Sequence, residues 1–129
     1  MATTVAQLVA EAKATIENLT VGEVSTEMDS SDRILVVDLR EPEERQQAGA
    51  IPETHHAPRG MLEFWADLTG PYHRQEFDPA RRIILYCASG GRSALATVTL
   101  LQLGYQNVAH LDGGFKAWVE AGRPVAHDR

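Results

Sequence analysis

The chain has 129 residues, 43% of them apolar and 23% charged, with one cysteine and a net charge of −6, the usage of an ordinary globular domain long enough to bury a core without disulfides. With 18 acidic against 12 basic residues and no Lys/Arg run, the footprint of a nucleic-acid binder is missing. No apolar stretch approaches the ~18 residues of a membrane helix, and Glu11, Lys13 and Glu17 stand where a secretory signal would be apolar, so one cytoplasmic domain over residues 1–129 is expected, with neither nucleic acid nor membrane as partner.

Val5, Leu8, Val9, Ala12 and Ile16 recur at helical spacing, which predicts an amphipathic first helix laid over a sheet. Thr20 with Glu23 three positions on has the form of a capping box and starts a second helix running to about Met28, before Asp29-Ser30-Ser31-Asp32 breaks it. Ile34-Leu35-Val36-Val37 is apolar without alternation, as in a parallel strand covered on both faces. Glu41 to Gln47 forms a helix with Pro42 at its first position, closed by Gly49. Two prolines confine Thr54 to His56 to a brief edge strand or an extended loop. Met61 to Leu68 reads as a helix and Thr69 to Arg82 as a surface loop. Arg82 to Tyr86 is a second doubly covered strand, Ala94 to Leu103 a helix stopped by Gly104, Asn107 to Leu111 a short strand, and Phe115 to Ala121 a last helix ending at Gly122. Strands alternating with helices predict an α/β domain with a mostly parallel sheet.

Chemistry concentrates in Cys87-Ala88-Ser89-Gly90-Gly91-Arg92-Ser93, where a buried strand runs into a helix. Paired glycines let several N–H groups turn inward, and the helix start adds unpaired donors, so the loop forms an anion cradle. With Arg92 beside it, the cradle is expected to favour the Cys87 thiolate. Lowering a thiol from ~8.5 by two units takes roughly 2.7 kcal/mol, which several amides and one guanidinium supply.

Four motifs carry a resemblance to the rhodanese family in its single-domain form. They are Asp38-Leu39-Arg40-Glu41-Pro42-Glu43-Glu44, Gly49-Ala50-Ile51-Pro52 ahead of His56, the Cys87 to Ser93 loop, and Leu111-Asp112-Gly113-Gly114-Phe115-Lys116-Ala117-Trp118. The resemblance implies a five-stranded, mainly parallel sheet flanked by helices. It also implies a thiosulfate sulfurtransferase in which Cys87 takes a sulfane sulfur as a persulfide, from thiosulfate or a related anionic donor, and passes it to a thiol or cyanide, a thioredoxin-like protein being one acceptor it admits. Ala50 stands where the family often has His, and Glu53-Thr54 where it often has Gly-Ala, which puts the local turn in question. The fold also hosts phosphatases and arsenate reductases with five residues between Cys and Arg. The four residues here make a tighter cradle, suited to one sulfane sulfur. A non-catalytic binding module is the other alternative, and Cys87 counts against it.

Ala88, Ser89, Gly90, Gly91, Arg92 and Ser93 are thus the expected substrate-binding residues, Ser93 doubling as a helix cap, and Arg59 resembles a family position at the pocket mouth that draws in an anion. Asp38 and Arg40 read as a structural ion pair. His55 and His56, as neighbours, cannot share one strand face, His73 and His110 show no partner, a His base is unnecessary if the cradle ionises Cys87, and neither a metal site nor a cofactor is expected. Phe64 and Trp65 read as core, and Asp112-Gly113-Gly114 as a turn requirement.

Overall fold

The computed structural model describes residues 2–127. Thr4 and Thr20 each accept a backbone N–H from three residues ahead at 3.1 Å, while Gln7 and Glu23 reach back to the cap amides. These reciprocal caps start α1 (Val5–Thr15) and α2 (Val21–Ser30). α2 runs past Met28 because Ser30 turns its hydroxyl back onto the Glu27 carbonyl at 2.8 Å and extends the last turn. Between the two lies β1 (Glu17–Leu19), a strand the residue pattern does not announce. Only Leu19 in it is buried, and its extended form comes from pairing with Ala109 to Leu111.

The remaining elements are β2 (Leu35–Asp38), α3 (Pro42–Ala48), β3 (His55–His56), a 3-10 turn over Arg59–Met61, α4 (Leu62–Ala66), β4 (Ile83–Tyr86), α5 (Gly91–Gln102), β5 (Val108–Leu111) and α6 (Gly114–Glu120). All four strand pairings are parallel, in the order β1-β5-β4-β2-β3. Side chains alternate across the pleat, which sorts the core into two layers. Leu35, Val37, Ile83, Leu85 and Val108 meet Leu62, Ala66, Ala96 and Leu100 from α4 and α5 on one face. Val36, Ile84, Tyr86, Ala109 and Leu111 meet Val24, Phe115 and Trp118 from α2 and α6 on the other. Both faces are covered, so the apolar runs do not alternate in sequence.

Two expectations are corrected. α1 packs mainly on α5 rather than over the sheet, and only Ala12 of its apolar stripe is buried, Val5 remaining 70% exposed. Phe64 is exposed too: α4 is short, Leu62 and Ala66 at i and i+4 take its buried side, and Phe64 falls opposite, edge-on to Tyr72 at 6.5 Å. Trp65 does pack on the core, with the Arg74 guanidinium 3.6 Å above its ring. The turn in question before β3 is made with Glu53 at φ 63°, a left-handed conformation normally left to glycine.

The strand order reverses between β2 and β4, β2 leading outward to β3 and β4 to β5. In open α/β sheets this switch point, at the carboxyl ends of the strands, is where ligands gather. Cys87 follows β4 directly at that place.

Candidate active site

Cys87 is 1% exposed, and its Sγ receives the N–H of Gly90 at 3.2 Å and of Ser93 at 3.4 Å. Gly90 makes this possible at φ 107°, and a Cβ there would stand 3.3 Å from the Gly113 nitrogen. Beneath the loop, the first turn of α6 holds two carbonyls: Phe115 N–H donates to Cys87 O at 2.8 Å and Lys116 N–H to Ala88 O at 3.0 Å. Gly114 permits that approach, because a Cβ on it would lie 2.5 Å from Cys87 O at φ 63°. The Asp112-Gly113-Gly114 motif is therefore more than a turn. It seats the loop.

Arg92 opens α5 with its guanidinium doubly bonded to the Glu44 carboxylate, at 2.8 and 3.0 Å. A cation at a helix N-terminus needs an anion, and α3 supplies it. The Arg92 hydrogen bonds lower the Glu44 carboxyl to about 2 despite partial burial, and Glu44 in turn raises Arg92. Glu44 ends the Asp38 to Glu44 motif, but nothing in sequence pairs it with Arg92; it also caps the first turn of the Pro42-led helix by accepting the Glu41 N–H at 2.9 Å.

Ser93 does not cap α5. It lies third in the helix, after the Gly90 cap, and its buried hydroxyl stands 2.8 Å from His110 Nδ1, 3.2 Å from Gly90 O and 3.6 Å from Cys87 Sγ. His110, expected to be without a partner, is wholly buried, with Nε2 2.8 Å from Asn18 Oδ1. Burial pushes its imidazole down to about 4, Lys13 adding to that and Asp112 opposing it. The signal that places it is strand parity: His110 shares with Val108 the sheet face that α5 covers. His73 also has a partner, the Phe77 carbonyl at 3.0 Å.

Behind the loop, Asp38 accepts from Arg40 at 3.0 and 2.9 Å, from Arg45 at 2.9 Å and from Tyr86 Oη at 2.9 Å. Burial alone would raise the Asp38 carboxyl, but the Arg40 and Tyr86 bonds outweigh it and hold it below its usual range. Arg40 also lies 4.2 Å over the Phe115 ring and donates to the Gly49 carbonyl at 2.7 Å. This buried cluster ties β2, α3 and α6 together. His56 closes it through Nε2, 2.6 Å from Arg40 O. His55 faces out, 53% exposed.

The structure thus gathers Ala88 to Ser93 around Cys87, with Ser89 exposed. Arg59 is held elsewhere, by Glu63 at 2.8 Å and by Thr99 at 3.3 Å, six residues along α5 from Ser93. A polar cleft of about 530 Å³ opens between the end of α2 and β3, lined by Asp29, Asp32, Glu53, His55 and Arg81, but it holds no thiol. Among the described residues no cluster of three metal-binding side chains occurs, and no helix is long and apolar enough to cross a membrane.

The chain is 33% identical over 102 residues to a sulfurtransferase of Allochromatium vinosum, covering 79% of this chain and 87% of that one. It is 31% identical over 90 residues to a thiosulfate sulfurtransferase of Vibrio cholerae, covering 70% and 76%. A solved structure from Rhodopseudomonas palustris, described as a protein of unknown function and possible tyrosine phosphatase, superposes with a TM-score of 0.91 at 37% identity, over 97% of this chain and 96% of that one. The rhodanese-like domain family matches residues 20–121, from the cap of α2 to just past α6, taking in every strand except β1. The chain belongs to the rhodanese-like family, several of whose members similar to it are named sulfurtransferases.

Proposed function

We propose that this chain transfers a sulfane sulfur from thiosulfate or a related small anionic donor to a thiol or cyanide, through a persulfide on Cys87. The observation that carries the reading is the pair of N–H bonds from Gly90 and Ser93 onto Cys87 Sγ, at 3.2 and 3.4 Å. Donors fixed on a sulfur favour its anionic form. The Cys87 thiolate attacks the outer sulfur of thiosulfate, the S–S bond of the donor breaks, and sulfite leaves with the electron pair. The new persulfide anion extends into the ring of loop amides with Arg92 at its edge. An acceptor thiolate or cyanide then attacks the terminal sulfur, and Cys87 leaves as thiolate. Arg92 meets the anionic donor by exchanging Glu44 for it.

The phosphatase alternative needs room for a tetrahedral oxyanion, and four residues between Cys87 and Arg92 give a smaller ring of amides than five. One preparation assayed for both activities separates the readings. Thiosulfate:cyanide transfer with negligible aryl phosphate hydrolysis is expected. One residue inserted beside Gly90 should sharply reduce transfer, because donors displaced by about 1 Å lose much of their effect. Strong phosphatase activity in the native chain would overturn the proposal, and absence of both activities would favour a binding module.

A further inference from the structure

Asn18 fixes a chain of hydrogen bonds that ends at the nucleophile. Its side-chain nitrogen donates to two carbonyls, Lys13 O at 2.9 Å and Ile16 O at 3.2 Å, which leaves Oδ1 facing His110 Nε2. An amide oxygen only accepts, so Nε2 carries a proton. With the imidazole neutral, Nδ1 is then a bare acceptor. The one hydrogen of the Ser93 hydroxyl has two acceptors in range, Nδ1 at 2.8 Å and Gly90 O at 3.2 Å, and goes to the nearer one, since Nδ1 would otherwise be buried without a donor. Ser93 Oγ therefore turns a lone pair to Cys87, and the thiol itself donates along the 3.6 Å contact.

We propose that His110 is a positioning residue for Cys87 that stores the thiol's proton: as the sulfur ionises, the Cys87 proton passes to Ser93 Oγ while the Ser93 proton passes to His110 Nδ1. One S–H and one O–H bond break, one O–H and one N–H bond form, and the products are a thiolate and an imidazolium with Ser93 between them. Asn18 needs no rearrangement, because Nε2–H donates to it in both states. Once an acceptor has displaced the Cys87 thiolate from its persulfide, the same path returns the proton to that sulfur.

Burial opposes the imidazolium, and the adjacent thiolate offsets that. Around His110, β1 and β4 place uncharged Asn18 and Leu85 at its flanks. α1 contributes Lys13, paired at 2.8 Å with Asp112 after β5, and α5 contributes Arg92, already paired with Glu44 from α3. No charge other than the thiolate is left uncompensated near the ring among these groups. The amides of Gly90 and Ser93 stabilise the anion, and His110 supplies the place for its proton.

The proposal rests on Cys87 being the reactive thiol, and its test uses no sulfur donor, so a failure of sulfur transfer does not decide it. Iodoacetamide alkylation of Cys87 in the full chain should rise with pH in two steps separated by a plateau, the signature of two coupled groups. His110→Gln and Ser93→Ala should each abolish the lower step and slow alkylation at pH 7 at least tenfold, with a smaller loss at high pH, where hydroxide ionises the thiol. Ser93→Thr should restore the lower step. The double variant should be no slower than either single one, because both interrupt one path. A single step in the native chain, a loss equal at every pH, or losses that multiply in the double variant would overturn the relay. The native chain gives a check that needs no variant to fold. Nitrogen-15 shifts of His110 should show Nε2 protonated and Nδ1 bare once Cys87 is carboxamidomethylated, with imidazolium appearing only while the sulfur is free. An Nδ1–H tautomer contradicts the proposal.

Discussion

At the scale of single residues, the Arg92–Glu44 pair is where the proposed anion binding is tested first. The pair is about one-third exposed on each side, and such pairs contribute about 0–1 kcal/mol, so its value lies in binding more than in stability. Arg92→Ala should lower kcat/KM for thiosulfate at least about tenfold while lowering the free energy of urea unfolding by under about 1 kcal/mol. Arg92→Lys should recover only part, since Lys brings the charge without the planar fork. Glu44→Gln frees the guanidinium and should lower KM for thiosulfate. An Ala variant with native KM would remove Arg92 from the site. That Arg92 must meet an anion is legible from its place at a helix start. Which anion is not, because Glu44 stands 48 positions earlier and only the folded chain brings the two side chains together. His110 is hidden for the same reason: strand parity gives the face it lies on, but its partners Asn18 and Ser93 come from different elements.

At the scale of elements, the loop owes its shape to α6 as much as to its own glycines. Gly114→Ala places a methyl 2.5 Å from Cys87 O, at a φ of 63° that alanine tolerates poorly. Left-handed backbone at a non-glycine residue costs of order 1–3 kcal/mol, and the loop must also move. The variant should lose more than tenfold in sulfur transfer, with an unfolding free energy lower by that order. Alanine tolerated at native activity would show that α6 does not seat the loop. Element types were readable from periodicity and caps, as Thr20 with Glu23 and the run Ile83 to Tyr86 illustrate. β1 was not, since Glu17-Asn18-Leu19 has one apolar residue and becomes a strand only against β5. The exposed side of α4 is not legible in sequence, because a helix of five residues offers too few positions to define its buried face.

At the scale of the whole molecule, His110 and Glu44 make stability depend on pH in consecutive windows, with the lowered Asp38 carboxyl adding to the acid one. His110 is lowered from 6.5 to about 4 by burial, so the unfolded chain takes up that proton first and stability falls as pH drops from 6.5 toward 4. Glu44 is lowered from 4.5 to about 2 by Arg92, so its contribution is complete above 4.5 and is lost as pH falls toward 2. Urea midpoints measured in Cys87→Ser, where no thiolate shares the proton, should fall through both windows. His110→Gln in that background should flatten the upper window and leave the lower one, and an unchanged upper window would show that His110 does not titrate on unfolding. The central claim is that the assembled fold makes Cys87 a sulfur acceptor, and intact mass after exposure to thiosulfate and removal of the excess tests it most directly. The native chain should gain one sulfur atom and lose it again to cyanide, and Cys87→Ser should gain none. A native chain that takes up no sulfur from thiosulfate or from polysulfide would contradict the account.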